Sequence, residues 1–366
     1  MRRLTNRISI VCLALMAGLF LFAFASSAGI PDDVLSTANP RVREVMAVQE
    51  DVTPDLMSSR DVLGTAVGQD DDGELTLIVY VDLDAKNLGE VVRAIPQEMR
   101  GERVSVEITE RFYAMARKPG GTPVSHTAKQ TPPIQLGTSG GWRYDLANGY
   151  CCGGTLGSLV QKGGTQYILS NYHVLEADIV SGGNSRVAQA GDPVTQPGLI
   201  DVGCNAINAQ NVATLSGIKS LPDSNVDAAI AQVVPGMVRT DGAILEIGTI
   251  SSTTVAASLN QAVKKSGRTT GLSRSTVSGL NATVSVQYEN ECAGGAAFTK
   301  TFTGQILVKN KGSRFLGGGD SGSLMVQDVT TNPKAVGLLF AGSSSTAIAN
   351  PIGQVLSFFG ATMVGQ

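Results

Sequence analysis

Near its C-terminal end the chain reads Gly317-Gly318-Gly319-Asp320-Ser321-Gly322, a serine set among glycines. Where the histidines stand relative to this serine decides which folds could use it as a nucleophile. A serine hydroxyl is a weak nucleophile near neutral pH; it needs a base within hydrogen-bond reach and a third group to orient that base. The chain has two histidines, His126 and His173, and both precede Ser321. His173 follows the apolar run Tyr167-Ile168-Leu169 and the polar pair Ser170-Asn171, and Asp227, in Asn225-Val226-Asp227-Ala228-Ala229-Ile230, is the natural third member. A site made of these residues runs His, Asp, Ser along the chain. The α/β-hydrolase order, with serine first and histidine last, is excluded.

Several segments together resemble the chymotrypsin-like serine peptidases, over roughly the last two thirds of the chain. Tyr167 to His173 is similar to the strand that delivers the family's histidine, and Cys152-Gly153-Gly154-Thr155-Leu156-Gly157-Ser158-Leu159-Val160 to the strand before it. Val226 to Ile230 resembles the motif around the aspartate, and Ala335-Val336-Gly337-Leu338-Leu339-Phe340-Ala341-Gly342 the strand bordering the substrate cleft. The resemblance implies a mainly β fold of two packed six-stranded barrels with the site between them. It implies a Ser321–His173–Asp227 triad acting through an acyl-enzyme, with the backbone N–H groups of Gly319 and Ser321 as the oxyanion hole. Protein or peptide substrates would then lie against Phe315, Phe340, Ala341 and Gly342. Phe315 falls where a basic-selective relative carries an acid, so selectivity for Lys or Arg is not expected, and no spare histidine is available to select Glu. A small or medium apolar residue before the cleaved bond remains.

The sequence departs from the family pattern in three ways. Ser323 stands where many relatives have glycine, no cysteine near Gly317 braces the pocket, and Phe340 or Ala341 replaces the serine that often supports the aspartate. Asp320 lacks an evident partner, because no activation-site sequence precedes an apolar start.

Arg2, Arg3 and Arg7 precede an uncharged apolar run from Ile8 to Ala25, with Ala23-Phe24-Ala25 or Ser26-Ser27-Ala28 as the cleavage site. Residues 1–28 therefore read as a secretory signal, and the product as exported, secreted or periplasmic. The competing reading is an uncleaved anchor, since the run approaches the roughly 18 residues a spanning helix needs. After cleavage no stable membrane insertion is expected. Cys12 would leave with the signal, and Cys151, Cys152, Cys204 and Cys292 remain as disulfide candidates, the adjacent pair with different partners.

Residues 29–116 read as a small α+β module. Val42, Val45, Val48, Val52 and Leu56 recur at helical spacing, with an irregularity expected before Pro54, and Val62–Val67, Leu75–Val81 and Val104–Ile108 have strand character. The module is a propeptide or an attached accessory domain. Residues 117–141, with Pro119-Gly120-Gly121, Pro132-Pro133 and Ser139-Gly140-Gly141, read as a linker in which His126 is solvated. From Trp142 to Gln366 short β runs recur between Gly, Asn and Ser turns, ending in a helix over Val355–Met363.

A net charge of −3 with no Lys/Arg cluster larger than a pair gives no sign of nucleic-acid binding. No Cys-x-x-Cys or Cys/His cluster is present, so neither metal nor cofactor is expected. The charge is unevenly placed: residues 29–118 carry 18 acidic and 10 basic side chains, net −8, and residues 119–366 carry 13 and 15, net +2. The N-terminal module is therefore expected to pack on the rest and restrain it until the linker is cut. Three alternatives to a general endopeptidase stand: a peptidase that cleaves only its own N-terminal segment, a retired peptidase serving as a binding scaffold, and a protein whose main functional unit is the N-terminal module, binding a ligand or surface.

Overall fold

The computed structural model describes residues 34–114, 125–147, 150–176, 187–288 and 297–366. The expected signal segment and Cys292 lie outside the described residues.

Two β barrels make up the bulk of the chain. In the first, Thr138–Trp142 pairs on one side with Pro193–Gln196, and the sheet continues through Gln210–Leu215, Ala229–Val233, Thr165–Ser170 and Ser158–Lys162. The last strand extends back past Gly157 into Gly154–Leu156, which pairs with Thr138–Gly140 and closes the ring of six. In the second barrel, Ala262–Gly267, Leu324–Gln327, Ala335–Gly342, Thr346–Pro351, Phe298–Lys309 and Gly271–Tyr288 follow one another, and pairing of Ala262–Gly267 with Gly271–Thr276 closes this six-stranded ring as well. Both rings obey the period-2 rule that sends alternate side chains inward. Leu159, Ile168, Val194, Val212 and Ala231 join the first core, and Val263, Val277, Val308, Met325 and Val336 are buried in the second.

The last helix is Ile352–Phe359, earlier than expected, because Gly360 adopts a left-handed φ of 62° that ends it. Thr362–Met363 then returns as a strand against Val160 and Gln161 of the first barrel.

The N-terminal module does not stand apart. Its helix, Pro40–Leu56, starts at Asn39, whose side chain accepts from the amides of Arg41 (2.9 Å) and Val42 (3.3 Å), and Pro54 lies in its last turn. The buried face is partly polar: Gln49 Nε2 donates to Thr65 Oγ1 (2.9 Å) and to the Asn281 carbonyl (3.0 Å). Val62–Gln69 pairs antiparallel with Leu75–Asp82, which pairs parallel with Glu102–Thr109. Val62–Gln69 also pairs antiparallel with the long strand Gly271–Tyr288, at Gly64↔Val284, Thr65↔Thr283 and Val67↔Leu280, so the module's sheet is an extension of the second barrel.

The 117–141 boundary of the expected linker is corrected at its C-terminal end. Ile134 and Leu136 are fully buried and bridge Val238 and Ile244, and Thr138 begins the first strand of the barrel. His126 is not solvated: at 1% exposure, its Nδ1 meets the Gly137 carbonyl and its Nε2 meets Glu246 Oε2, each at 2.7 Å. Its own carbonyl accepts from the Ser139 amide, so barrel packing overrides the polar, turn-rich composition.

A short strand, Phe112–Ala114, ends the described part of the module and was not foreseen. It runs parallel to the end of the long strand (Val286↔Phe112, Gln287↔Tyr113) and antiparallel to Ala335–Gly342 (Ala341↔Ala114, Gly342↔Tyr113). It thereby bridges the two strands of the second barrel that border the site.

Candidate active site

His173 sits on a single helical turn, Tyr172–Leu175, directly after the strand Thr165–Ser170. Asp227 lies two residues before the start of the neighbouring strand, Ala229–Val233, which pairs with that strand at Ser170↔Ala229. This register sets the two side chains together: His173 Nδ1 lies 2.5 Å from Asp227 Oδ2. A carboxylate can only accept, so Nδ1 carries the proton and Nε2 is left with the lone pair a base needs. The amides of Tyr172 (2.8 Å) and His173 (3.2 Å) donate to Asp227 Oδ1, Asn171 Nδ2 donates to the Asp227 carbonyl (2.6 Å), and the Asp227 amide donates to Asn350 Oδ1 (2.9 Å). Asp227 is fully buried and the His173 side chain is 6% exposed. The charge is thus matched by donors on both carboxylate oxygens.

Ser321 comes from the second barrel, on the turn before Leu324–Gln327, and is fully buried. Its carbonyl accepts from the Thr155 amide of the first barrel at 2.8 Å, and the Thr155 hydroxyl donates to the Gly319 carbonyl at 3.0 Å, so the turn is pinned across the barrel interface. Gly319 (φ 94°) and Gly322 (φ 91°) hold left-handed conformations. A Cβ at Gly322 would meet Ser170 Oγ and the Thr155 carbonyl at 2.2 Å, so only glycine fits there. Ser321 Oγ donates to the Phe340 carbonyl (3.1 Å), and His173 Nε2 is buried with no hydrogen-bond partner among the described residues. Ser321 Oγ is thus directed at the Phe340 carbonyl, and a hydrogen bond from it to the imidazole would need the Ser321 side chain to turn. Such bonds often form only when substrate is bound.

Asp320, next to Ser321, has a partner that the sequence did not disclose: Lys265 of the strand Ala262–Gly267. Phe340, Ala341 and Gly342 lie on the strand bordering the site, with Ala341 and Gly342 paired to Ala114 and Tyr113. Phe315, expected on the pocket wall, instead packs in the second core with Val277, Val308 and Leu316 and is 2% exposed. Six residues ahead of Ser321 the chain here is turned inward, held by Asn310 Oδ1 accepting from the amides of Phe315 (3.1 Å) and Leu316 (3.0 Å).

Sequence reasoning also missed Tyr288. Its hydroxyl donates to Asp227 Oδ2 at 2.9 Å, and its ring stacks on Phe298 (4.8 Å between centroids) and meets the His173 ring edge-on at 6.0 Å. No local signal marks it, because it reaches the site only through the curvature of an 18-residue strand. Cys151 and Cys204 are joined by a disulfide and Cys152 is disulfide-bonded as well, so the adjacent cysteines do take different partners.

No protein-family model and no curated protein sequence matches the chain. Among solved structures it is similar to a glutamic acid specific serine protease, at 21% identity over 63% of this chain and 100% of that one, with a TM-score of 0.40. It is also similar to Protease A of Thermobifida fusca, at 20% identity over 64% of this chain and 99% of that one, with a TM-score of 0.41. A third likeness is to the chymotrypsin of Cellulomonas bogoriensis, at 20% identity over 64% and 99% of the two chains, with a TM-score of 0.38. At these identities the likeness concerns the fold, and the chemistry rests on this chain's own geometry.

Proposed function

We propose that the protein is a serine endopeptidase that hydrolyses peptide bonds through Ser321, His173 and Asp227. The observation that carries the reading is the His173–Asp227 pair at 2.5 Å, with Nδ1 protonated and Nε2 left as base, on the first barrel opposite the Ser321 turn of the second. In the proposed reaction Ser321 Oγ attacks the scissile carbonyl while Nε2 takes its proton. Asp227 stabilises the imidazolium, which then protonates the leaving amine, and water releases the acyl group by the same steps in reverse. The amides of Gly319 and Ser321 are the proposed donors to the oxyanion. A retired scaffold is disfavoured, because a binding surface has no need of an aligned acid–base pair. Labelling of Ser321 by a fluorophosphonate probe, lost in Ser321→Ala, tests the enzyme reading, and turnover of a casein panel tests action on other proteins. Absence of labelling in the folded protein would remove it.

A second reading of the same site is supported by the strand Phe112–Ala114. An extended segment paired antiparallel to Ala341 and Gly342, beside the carbonyl that holds Ser321, occupies the place an extended peptide substrate would take by strand addition. The N-terminal module is accordingly proposed as a restraint on the peptidase, relieved by cleavage beyond Ala114. Basic-residue selectivity is not proposed, and neither is Glu selectivity: of the two histidines, one faces Asp227 and the other is bound to Glu246.

A further inference from the structure

Asp227 Oδ2 accepts from two donors, His173 Nδ1 and the Tyr288 hydroxyl. The second has an unusual origin. It does not come from the first barrel, which supplies Asp227 and His173, or from the strand carrying Phe340, where the side chain is a fully buried phenyl that packs on Phe302 at 4.9 Å. It comes from the far end of Gly271–Tyr288, where the ring is held on three sides. Phe298 stacks on it at 4.8 Å and 7° between planes, Phe302 lies tilted at 6.4 Å, and His173 meets it edge-on at 6.0 Å. Burial, followed by the Asp227 charge, raises the phenol well above its ordinary pKa, so the hydroxyl stays protonated and remains a donor to Asp227.

We infer that Tyr288 is a positioning residue of the site, its hydroxyl fixing the Asp227 carboxylate so that Oδ2 stays aimed at His173 Nδ1. Without it, Oδ1 would keep its two backbone donors while Oδ2 had only the imidazole, so the aim of Oδ2 at Nδ1 would be less tightly set. The imidazole orientation depends on that aim. Because Val286 and Gln287, just before Tyr288, pair with Phe112 and Tyr113, the same residue links the bridging strand of the N-terminal module to the acid of the triad.

The inference rests on the peptidase reading, and Tyr288→Phe in the secreted enzyme tests it separately. The variant keeps the ring and its three aromatic neighbours and removes one charge-assisted hydrogen bond. The expected result is a fall in kcat of about tenfold with KM within about twofold, the loss being confined to alignment for reaction. The proton resonance of His173 Nδ1 should move as well, which needs no activity to observe. In an Asp227→Asn background the same change should lower kcat no further, since Tyr288 acts through Asp227. An unchanged kcat and resonance would overturn the inference while Ser321 labelling kept the peptidase reading intact. A rise in KM alone would overturn it in favour of a substrate wall. Failure of Ser321 to label in the wild type would remove the peptidase reading, with the Nδ1 resonance still deciding whether Tyr288 holds Asp227.

Discussion

Lys265 Nζ lies 3.2 Å from Asp320 Oδ1, and both side chains are fully buried. Asp320 also accepts from the amides of Gly317 (2.9 Å), Thr269 (2.8 Å) and Thr270 (3.1 Å) and from the Thr270 hydroxyl (2.7 Å). One carboxylate therefore ties the glycine turn on both sides of Gly318 to the second barrel. Burial pulls the Lys265 ammonium below its ordinary pKa and the Asp320 charge opposes that pull, so the pair stands or falls together.

Lys265→Met is expected to leave a buried carboxylate without its cation and to cost about 3–5 kcal/mol of stability, read as a lower denaturation midpoint. The pair also supplies Asp320 with a cation from within the barrel. Extra residues placed ahead of a processed N-terminus should accordingly leave activity within about twofold; a loss of an order of magnitude would show that a free terminal amine is required after all.

Replacing Ser321 or His173 by alanine should lower turnover by several orders of magnitude, and replacing both should cost little more, because the groups act as a unit. Initial rates on a fluorogenic peptide, with circular dichroism to establish folding, provide the check. Near-normal proteolysis by His173→Ala would mean that another base serves Ser321.

If the N-terminal module restrains the site as proposed, the strand Phe112–Ala114 sets where a relieving cut should fall. Its register sets Ala114 opposite Ala341, one position from Phe340, whose carbonyl holds Ser321 Oγ. N-terminal sequencing of the active form should place the cut within a few residues after Ala114, and Tyr113→Pro, which removes a backbone donor from the strand, should raise activity of the uncut chain on a small substrate. A first residue beyond Gly141, or equal activity of cut and uncut chains, would leave the module an accessory domain.

Glu176, one turn after His173, is fully buried, and burial raises its carboxyl from 4.5 to about 7, partly opposed by Lys219. The folded protein therefore holds a proton there that the unfolded chain releases, so stability should fall as pH rises from about 4.5 to 7 and level off above. Glu176→Gln is expected to remove that fall, raising stability at pH 8 by at most about 3 kcal/mol with little change near pH 4.5. Melting temperatures across that range decide it; parallel curves for the two proteins would place the titration elsewhere.

How much of this was legible beforehand depended on whether a feature was local. The helix Pro40–Leu56 was readable because the spacing of Val42, Val45, Val48, Val52 and Leu56 is set within successive turns, and the turn at Ser321 was readable because its glycines are adjacent in the chain. The extended runs were legible for the same reason, although the pairing of Val62–Gln69 with Gly271–Tyr288 was not, since either strand's alternation fits many partners. His126 was misjudged because its neighbours are polar, while its partners, Gly137 and Glu246, arrive from a turn and from a segment 120 residues away.

By itself the sequence determined the His, Asp, Ser order, the excluded hydrolase topology and the β character of the chain, all consequences of residue identity, order and period. The tertiary structure decided what holds these groups: Lys265 for Asp320, Tyr288 for Asp227, and the strand Phe112–Ala114 along Ala341 and Gly342. Each is a contact between segments far apart in the chain, selected by barrel closure and burial, which no local pattern encodes.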